Sequence, residues 1–197
     1  MPNQVIINAA VEGIVDEAVA RRLIAHIGGS VGSVYGKSGK TDLRKKIKGY
    51  NKAAQHAPWL VLVDLNGESC APFLCKSWLP DPAPYLCFRV VVRQVEAWLM
   101  ADAEALADYL RVARRAIPDN PEMLENAKAD MTKLAAKSRR RDIRLDMVPR
   151  EGSGRMVGPA YASRLIEFTE NLWRPERAAQ RACSLRRSIA CLERLVQ

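Results

Sequence analysis

The chain has 197 residues, enough for one ordinary domain, or one with a helical extension, to bury a core without a disulfide or metal staple. Its 31 Lys+Arg against 22 Asp+Glu give a net charge of +9, which favours a polyanionic partner wherever the charge clusters. Five cysteines with no CxxC pair argue against a secreted disulfide framework and against a zinc site. With neither a signal-like segment nor a run of roughly 18 uncharged apolar residues, the expectation is a cytoplasmic protein that does not enter a membrane.

Val5 to Val11 is a nearly continuous apolar run of strand length, followed at once by Glu12 and Gly13. A helical pattern begins there: Val15, Val19, Leu23 and Ile27 recur every four residues, and Gly28-Gly29 closes it. Glu12 therefore stands where a strand hands over to a helix, the position at which open α/β sheets keep their chemistry. Val31 to Tyr35 is a second, short strand. The loop Gly36-Lys37-Ser38-Gly39-Lys40-Thr41 invites a phosphate-loop reading, but the pattern needs glycine at position 34, where this chain has Val34.

The same loop leads into a helix over about 41–55, and together they carry Lys37, Lys40, Arg44, Lys45, Lys46, Lys48 and Lys52 against only Asp42. Such a run is either a solvated helix face or a ridge that contacts phosphates. Trp59 to Val63 forms a third apolar strand ending in Asp64-Leu65-Asn66-Gly67-Glu68. An acid followed two residues later by another oxygen donor is a divalent-cation corner or a plain turn. After the proline-rich Pro80 to Pro84, a fourth strand over Tyr85 to Val92 passes through Arg93-Gln94-Val95-Glu96 into a helix reaching about Leu110. Trp98 fits a core position better than a base-stacking platform. His26 and His56 lie within helical patterns without partners for a nucleophilic triad.

Four strands alternating with helices predict an α/β fold with a mainly parallel sheet flanked by helices. Its strand C-termini share an edge, where Glu12, Asp64 and Glu96 could converge as a metal-assisted site requires. Beyond Arg115 the character changes. Asn120 and Pro121 form a cap and first turn for a helix to about Lys137, and a basic, glycine-containing segment from Ser138 to Arg155 is expected to be mobile unless a partner orders it. Two closing helices, Tyr161 to Leu172 and Pro175 to Leu195, complete the chain. The expected division is an α/β domain over 1–115 and a helical extension over 116–197.

Val11-Glu12-Gly13, Leu62-Val63-Asp64-Leu65-Asn66 and Val95-Glu96-Ala97-Trp98-Leu99-Met100-Ala101-Asp102, with the later Asp119-Asn120-Pro121 and Gly158-Pro159-Ala160-Tyr161, resemble the TOPRIM-like proteins related to RloG, a family of unknown function. TOPRIM domains place a glutamate after the first strand and Asp-x-Asp after the third. The resemblance implies a four-stranded TOPRIM-like sheet, Glu12 as general acid/base or metal-linked glutamate, and Asp64 as a ligand of Mg²⁺ or Mn²⁺. It departs at Asn66, whose amide oxygen can ligate but brings no charge, so Glu68 or Glu96 would have to supply the missing carboxylate.

The implied activity is a metal-dependent nuclease on DNA or RNA, plausible in phage defence beside an ATPase partner. Glu12, Asp64 and Glu96 would be the catalytic set, and Lys37, Lys40, Arg44, Lys45, Lys48, Arg139, Arg140 and Arg141 would hold the backbone. The competing expectation is a non-catalytic module with a degenerate site that binds nucleic acid or docks on an ATPase.

Overall fold

The computed structural model describes residues 4–68 and 70–197. Its contacts divide the chain into two compact units, the first made of residues up to Val92 with Ser184–Gln197, the second of Arg93–Cys183. The boundary thus falls well before residue 115, and the end of the chain returns to the first unit.

The first unit is a four-stranded, all-parallel sheet in the order β2-β1-β3-β4, built from β1 (Ile6–Val11), β2 (Ser30–Gly36), β3 (Trp59–Asp64) and β4 (Leu86–Val91). The connecting helices are α1 (Ile14–His26), α2 (Lys40–Ala53) and α3 (Ala71–Trp78). β1, β3 and β4 are largely apolar because both their faces are covered, whereas the edge strand β2 has no fully buried residue. On one face Ala10, Trp59, Val61, Val63, Phe88 and Val90 pack with Leu43 and Ile47 of α2 and with Leu74 and Trp78 of α3. The alternate residues, such as Ile7, Leu60 and Cys87, are buried on the other side. The short α3 lies in a stretch for which sequence patterning gave no element, with Cys70 as its N-cap and Pro72 in its first turn.

The last helix of the chain, α10 (Cys183–Val196), belongs to this unit from Ser184 onward. It buries Leu185, Ser188, Ile189 and Leu192, and through Cys191 it meets Cys87 of β4. Hydrogen bonds from the Cys87 thiol and from Arg194 hold the Cys191 thiol below its ordinary range, while burial pushes Cys87 up.

The second unit is helical: α4 (Val95–Ala101), α5 (Ala103–Leu110), α6 (Ala127–Ala136), α7 (Arg141–Met147), α8 (Tyr161–Asn171) and α9 (Pro175–Ala178), with 3₁₀ turns at Arg114–Ala116 and Pro121–Met123. The single helix expected to reach Leu110 is broken at Asp102. Its fully buried carboxylate accepts from Ala105 N–H as the cap of α5 and from the backbone N–H, Nε and Nη2 of Arg174 at 2.6 to 2.9 Å. Trp173 Nε1 donates to Trp98 O at 3.2 Å, so both indoles are core and one is also a strut. Asn120 leads only a 3₁₀ turn. The helix that follows is capped by Asn126, whose side chain accepts from Ala129 N–H. The segment after Ser138, expected to be mobile, forms α7, and the expected closing helix from Pro175 is split into α9 and α10.

No helix among the described residues is long and apolar enough to cross a membrane.

Asp102→Ala removes a cap and strands the half-exposed Arg174 guanidinium, so we expect a loss of about 2–3 kcal/mol. Exposed Glu104→Ala should stay within about 0.5 kcal/mol. Urea unfolding of the two variants measures the contrast.

Candidate functional site

In a 2-1-3-4 parallel order the strand sequence reverses between β1 and β3, and the crevice at their carboxyl ends is where α/β sheets bind ligands. Glu12 directly follows β1 and Asp64 ends β3, so the two residues that sequence analysis set apart stand at the ends of neighbouring strands. They are in direct contact: Glu12 Oε1 accepts the Asp64 backbone N–H at 2.8 Å. The ladder explains the bond. Leu65 N–H turns toward β4 and donates to Val91 O, so Asp64 N–H turns toward β1, whose backbone pairing has ended. The carboxylate takes the place of the missing carbonyl.

The loop after β2 closes the crevice from the side. Lys37 N–H donates to Val11 O at 2.8 Å and Gly39 N–H to Glu12 O at 3.0 Å. Gly36 makes this approach possible, since at φ +88° a Cβ would lie 2.2 Å from Val11 O. The loop delivers Lys40 at the first turn of α2, where Nζ donates to Asp64 O and Leu65 O at 3.0 Å each and pairs with Glu68 Oε1 at 3.7 Å. Lys40 is therefore a staple between α2 and the end of β3, not a cation offered outward. This also removes the phosphate-loop reading, whose lysine must reach a ligand.

The remaining candidates have partners of their own. Asn66 is exposed with φ +33°, in a turn with Gly67 where Glu68 N–H donates to Leu65 O and Asn66 O. Glu68 is held toward Lys40. Glu96 belongs to the second unit, where its carboxylate, 2% exposed, accepts from Tyr161 Oη at 3.3 Å and pairs with Lys128 Nζ at 3.6 Å. Burial, then the Glu96 charge, raises the Tyr161 hydroxyl well above the usual phenol range. Glu96 is thus fully employed within its own unit.

Among the described residues no group of three or more His, Cys, Asp or Glu side chains is arranged to hold a metal ion. The donors at the crevice are nonetheless hard oxygens, and Mg²⁺ commonly takes one or two carboxylates while keeping its waters and a substrate phosphate. Glu12 and Asp64 fit that mode and not a closed cage.

The basic residues also divide. Lys37 pairs with Glu17 at 3.0 Å, and the Arg44 guanidinium lies 5.7 Å from the centre of the Trp78 ring. Lys45, Lys48 and Lys52 form an exposed stripe along α2, with Leu43 and Ile47 buried on its opposite face. In the second unit Arg139 and Arg141 are exposed. Arg140 pairs with Asp142 and lies 5.5 Å from the Tyr109 ring centre. Of the stretch itself only Arg140 is in an ion pair among the described residues, with Asp142 two residues on; Asp142 is shared with Arg164 of α8, which also binds Asp146 and Glu167 at 2.7 to 2.9 Å.

Set against known proteins the chain finds no counterpart: no family model, no curated protein and no solved structure matches it.

Two predictions follow from these contacts. Glu12→Gln keeps an acceptor for the Asp64 amide and should cost under about 1 kcal/mol, whereas Glu12→Ala leaves that amide unanswered and should cost about 1–3 kcal/mol in chemical denaturation. The Arg140 guanidinium hydrogen-bonds Asp142 and lowers its carboxyl to about 2. A depressed folded value means that its stabilising contribution is complete above the unfolded value of about 3.9 and is lost as pH falls through about 2. Carboxyl NMR titration should find the low midpoint, and Arg140→Ala should move it upward.

Proposed function

We propose that the first unit is a TOPRIM-type module acting on the phosphodiesters of nucleic acid, with Glu12 and Asp64 as its chemical pair. The observation that carries this reading is the junction of the two acids at the switch between β1 and β3, joined by the 2.8 Å bond from Asp64 N–H to Glu12 Oε1. Asp64 and Glu12 would hold a hydrated Mg²⁺ or Mn²⁺, which when bound supplies a Lewis acid for the phosphodiester and lowers the pKa of water. The protein's own contribution is position and charge. Lys40 fixes the end of β3 through two carbonyls, so the Asp64 carboxylate is presented from a rigid corner. Glu12, half-buried and hydrogen-bonded, is held at the neighbouring strand end, where it can take or return a proton on the attacking or leaving oxygen. Lys45 and Lys48, with Arg44 beside them, offer the nucleic-acid backbone an exposed row of cations.

One feature favours a second reading, a non-catalytic module that binds nucleic acid or docks on an ATPase. The amide of Asn66 replaces the second aspartate of the family pattern, and Lys40 brings a fixed positive charge to the same corner. Single- and double-stranded DNA and RNA incubated with Mg²⁺ or Mn²⁺ decide between the two. The nuclease predicts metal-dependent cleavage that falls at least about 10²-fold in Glu12→Gln and Asp64→Asn, both chosen to preserve the fold. Cleavage unchanged in both variants removes these residues from the chemistry. Absence of cleavage with either metal, together with binding lost in Lys45→Ala/Lys48→Ala, establishes the module.

A further inference from the structure

One cavity of the second unit, about 630 Å³, is lined by Arg111, Arg140 and Arg174 but also by Glu104 and Asp108, and two of its arginines are already paired with Asp142 and Asp102. A different cavity in the same unit has no such answer to its charge. It measures about 450 Å³ and is lined by Pro149, Arg150, Ser153, Arg155, Val157 and Pro159, without a carboxylate. Both guanidinium groups are exposed, and neither is in an ion pair among the described residues.

The loop that bears them is anchored at its base. Gly158 N–H donates to Met147 O and Ala160 N–H to Asp146 O, both at 2.9 Å, and the Asp146 carboxylate is itself held by Arg164. Gly158 is packed so tightly that a Cβ would fall 2.4 Å from Asp146 O and 2.6 Å from Met147 C, so the two ends of the loop meet backbone to backbone. At the tip Gly152 and Gly154 have φ of +73° and +65°, with Ser153 between them, and Ser153 N–H returns to Arg150 O at 3.1 Å. Pro149 and Pro159 stiffen the rim.

We infer that this cavity is a binding site for a nucleoside phosphate, with Arg150 and Arg155 on the phosphate and Pro149, Val157 and Pro159 against the base or sugar. Two guanidinium forks and a hydroxyl in one cleft match the oxygens of a phosphate, and an apolar wall beside them suits a flat ring. The volume lies within the range of small-molecule sites and exceeds what a bare phosphate fills. The site involves only residues of the second unit and stands apart from the function proposed for Glu12 and Asp64.

Calorimetry of the full chain in EDTA, with AMP, CMP, GMP and UMP as ligands and with adenosine and inorganic phosphate as partial ligands, tests the assignment. EDTA keeps the outcome separate from any metal-dependent cleavage. At least one nucleotide should bind one to one, at least about tenfold tighter than adenosine or phosphate alone. Arg150→Ala and Arg155→Ala should each lose about tenfold or more, and Arg155→Lys should recover only part of it, since a lysine keeps the charge but not the fork. Both arginines are exposed, so the variants should unfold at the wild-type urea midpoint, and Lys45→Ala should leave nucleotide affinity unchanged. No binding by any nucleotide, equal affinity for AMP and inorganic phosphate, or affinity indifferent to Arg150 and Arg155 would each overturn the proposal.

Discussion

The first unit depends on how the end of a buried parallel strand is satisfied. At Asp64 the backbone N–H faces a neighbour that has run out of carbonyls, and an amide left there without water or partner would cost about 1–3 kcal/mol. The Glu12 carboxylate meets it. That requirement fixes the direction of the chain after β1, and with it the loop from Gly36 to Gly39, whose amides cap the carbonyls of Val11 and Glu12. Lys40 follows from the same geometry: the loop ends within reach of the Asp64 and Leu65 carbonyls. An acid, a glycine and a lysine from three separate segments thus form one joint, and the chemistry proposed for the crevice uses a joint that the fold already needs.

The positive balance of the chain is not spread evenly over its surface. In the second unit much of it is consumed internally: Arg164 by Asp142, Asp146 and Glu167, Arg174 by Asp102, Arg140 by Asp142. Charge remains available on the exposed stripe of α2 and on the loop carrying Arg150 and Arg155. A polyanion would meet two kinds of surface, a flat row of flexible ammonium groups and a stiff cleft with planar guanidinium groups, and these recognise phosphate in different ways.

The parallel sheet was legible in the sequence because β1, β3 and β4 are largely buried on both faces, which leaves an unbroken apolar run in Trp59 to Val63 and a nearly continuous one in Val5 to Val11. Glu12 and Asp64 could be paired in advance because a parallel sheet brings the carboxyl ends of all its strands to one edge. What escaped notice depends on distant partners. Asp102 sits within a helical periodicity, and only Arg174, 72 residues on, turns it into a break. Glu96 has the same local signature as a site acid, and its pairing with Tyr161 and Lys128 is invisible in the pattern around it. Asp142 belongs to a basic run that looks mobile, yet it is held from 22 residues on by Arg164 of α8 as well as by its neighbour Arg140. Lys40 was legible as a cation but not as a staple, because its partners are backbone carbonyls that carry no sequence signal.

The strand β4 leaves the first unit at Val92, and the chain re-enters it at Ser184, whose Oγ accepts the Val92 N–H at 3.3 Å. The points of exit and return are therefore one hydrogen bond apart, although 91 residues of the second unit separate them in sequence. A turn of a few residues would span the same gap, so the first unit is closed on itself by this bond and not by the length of chain between its two segments.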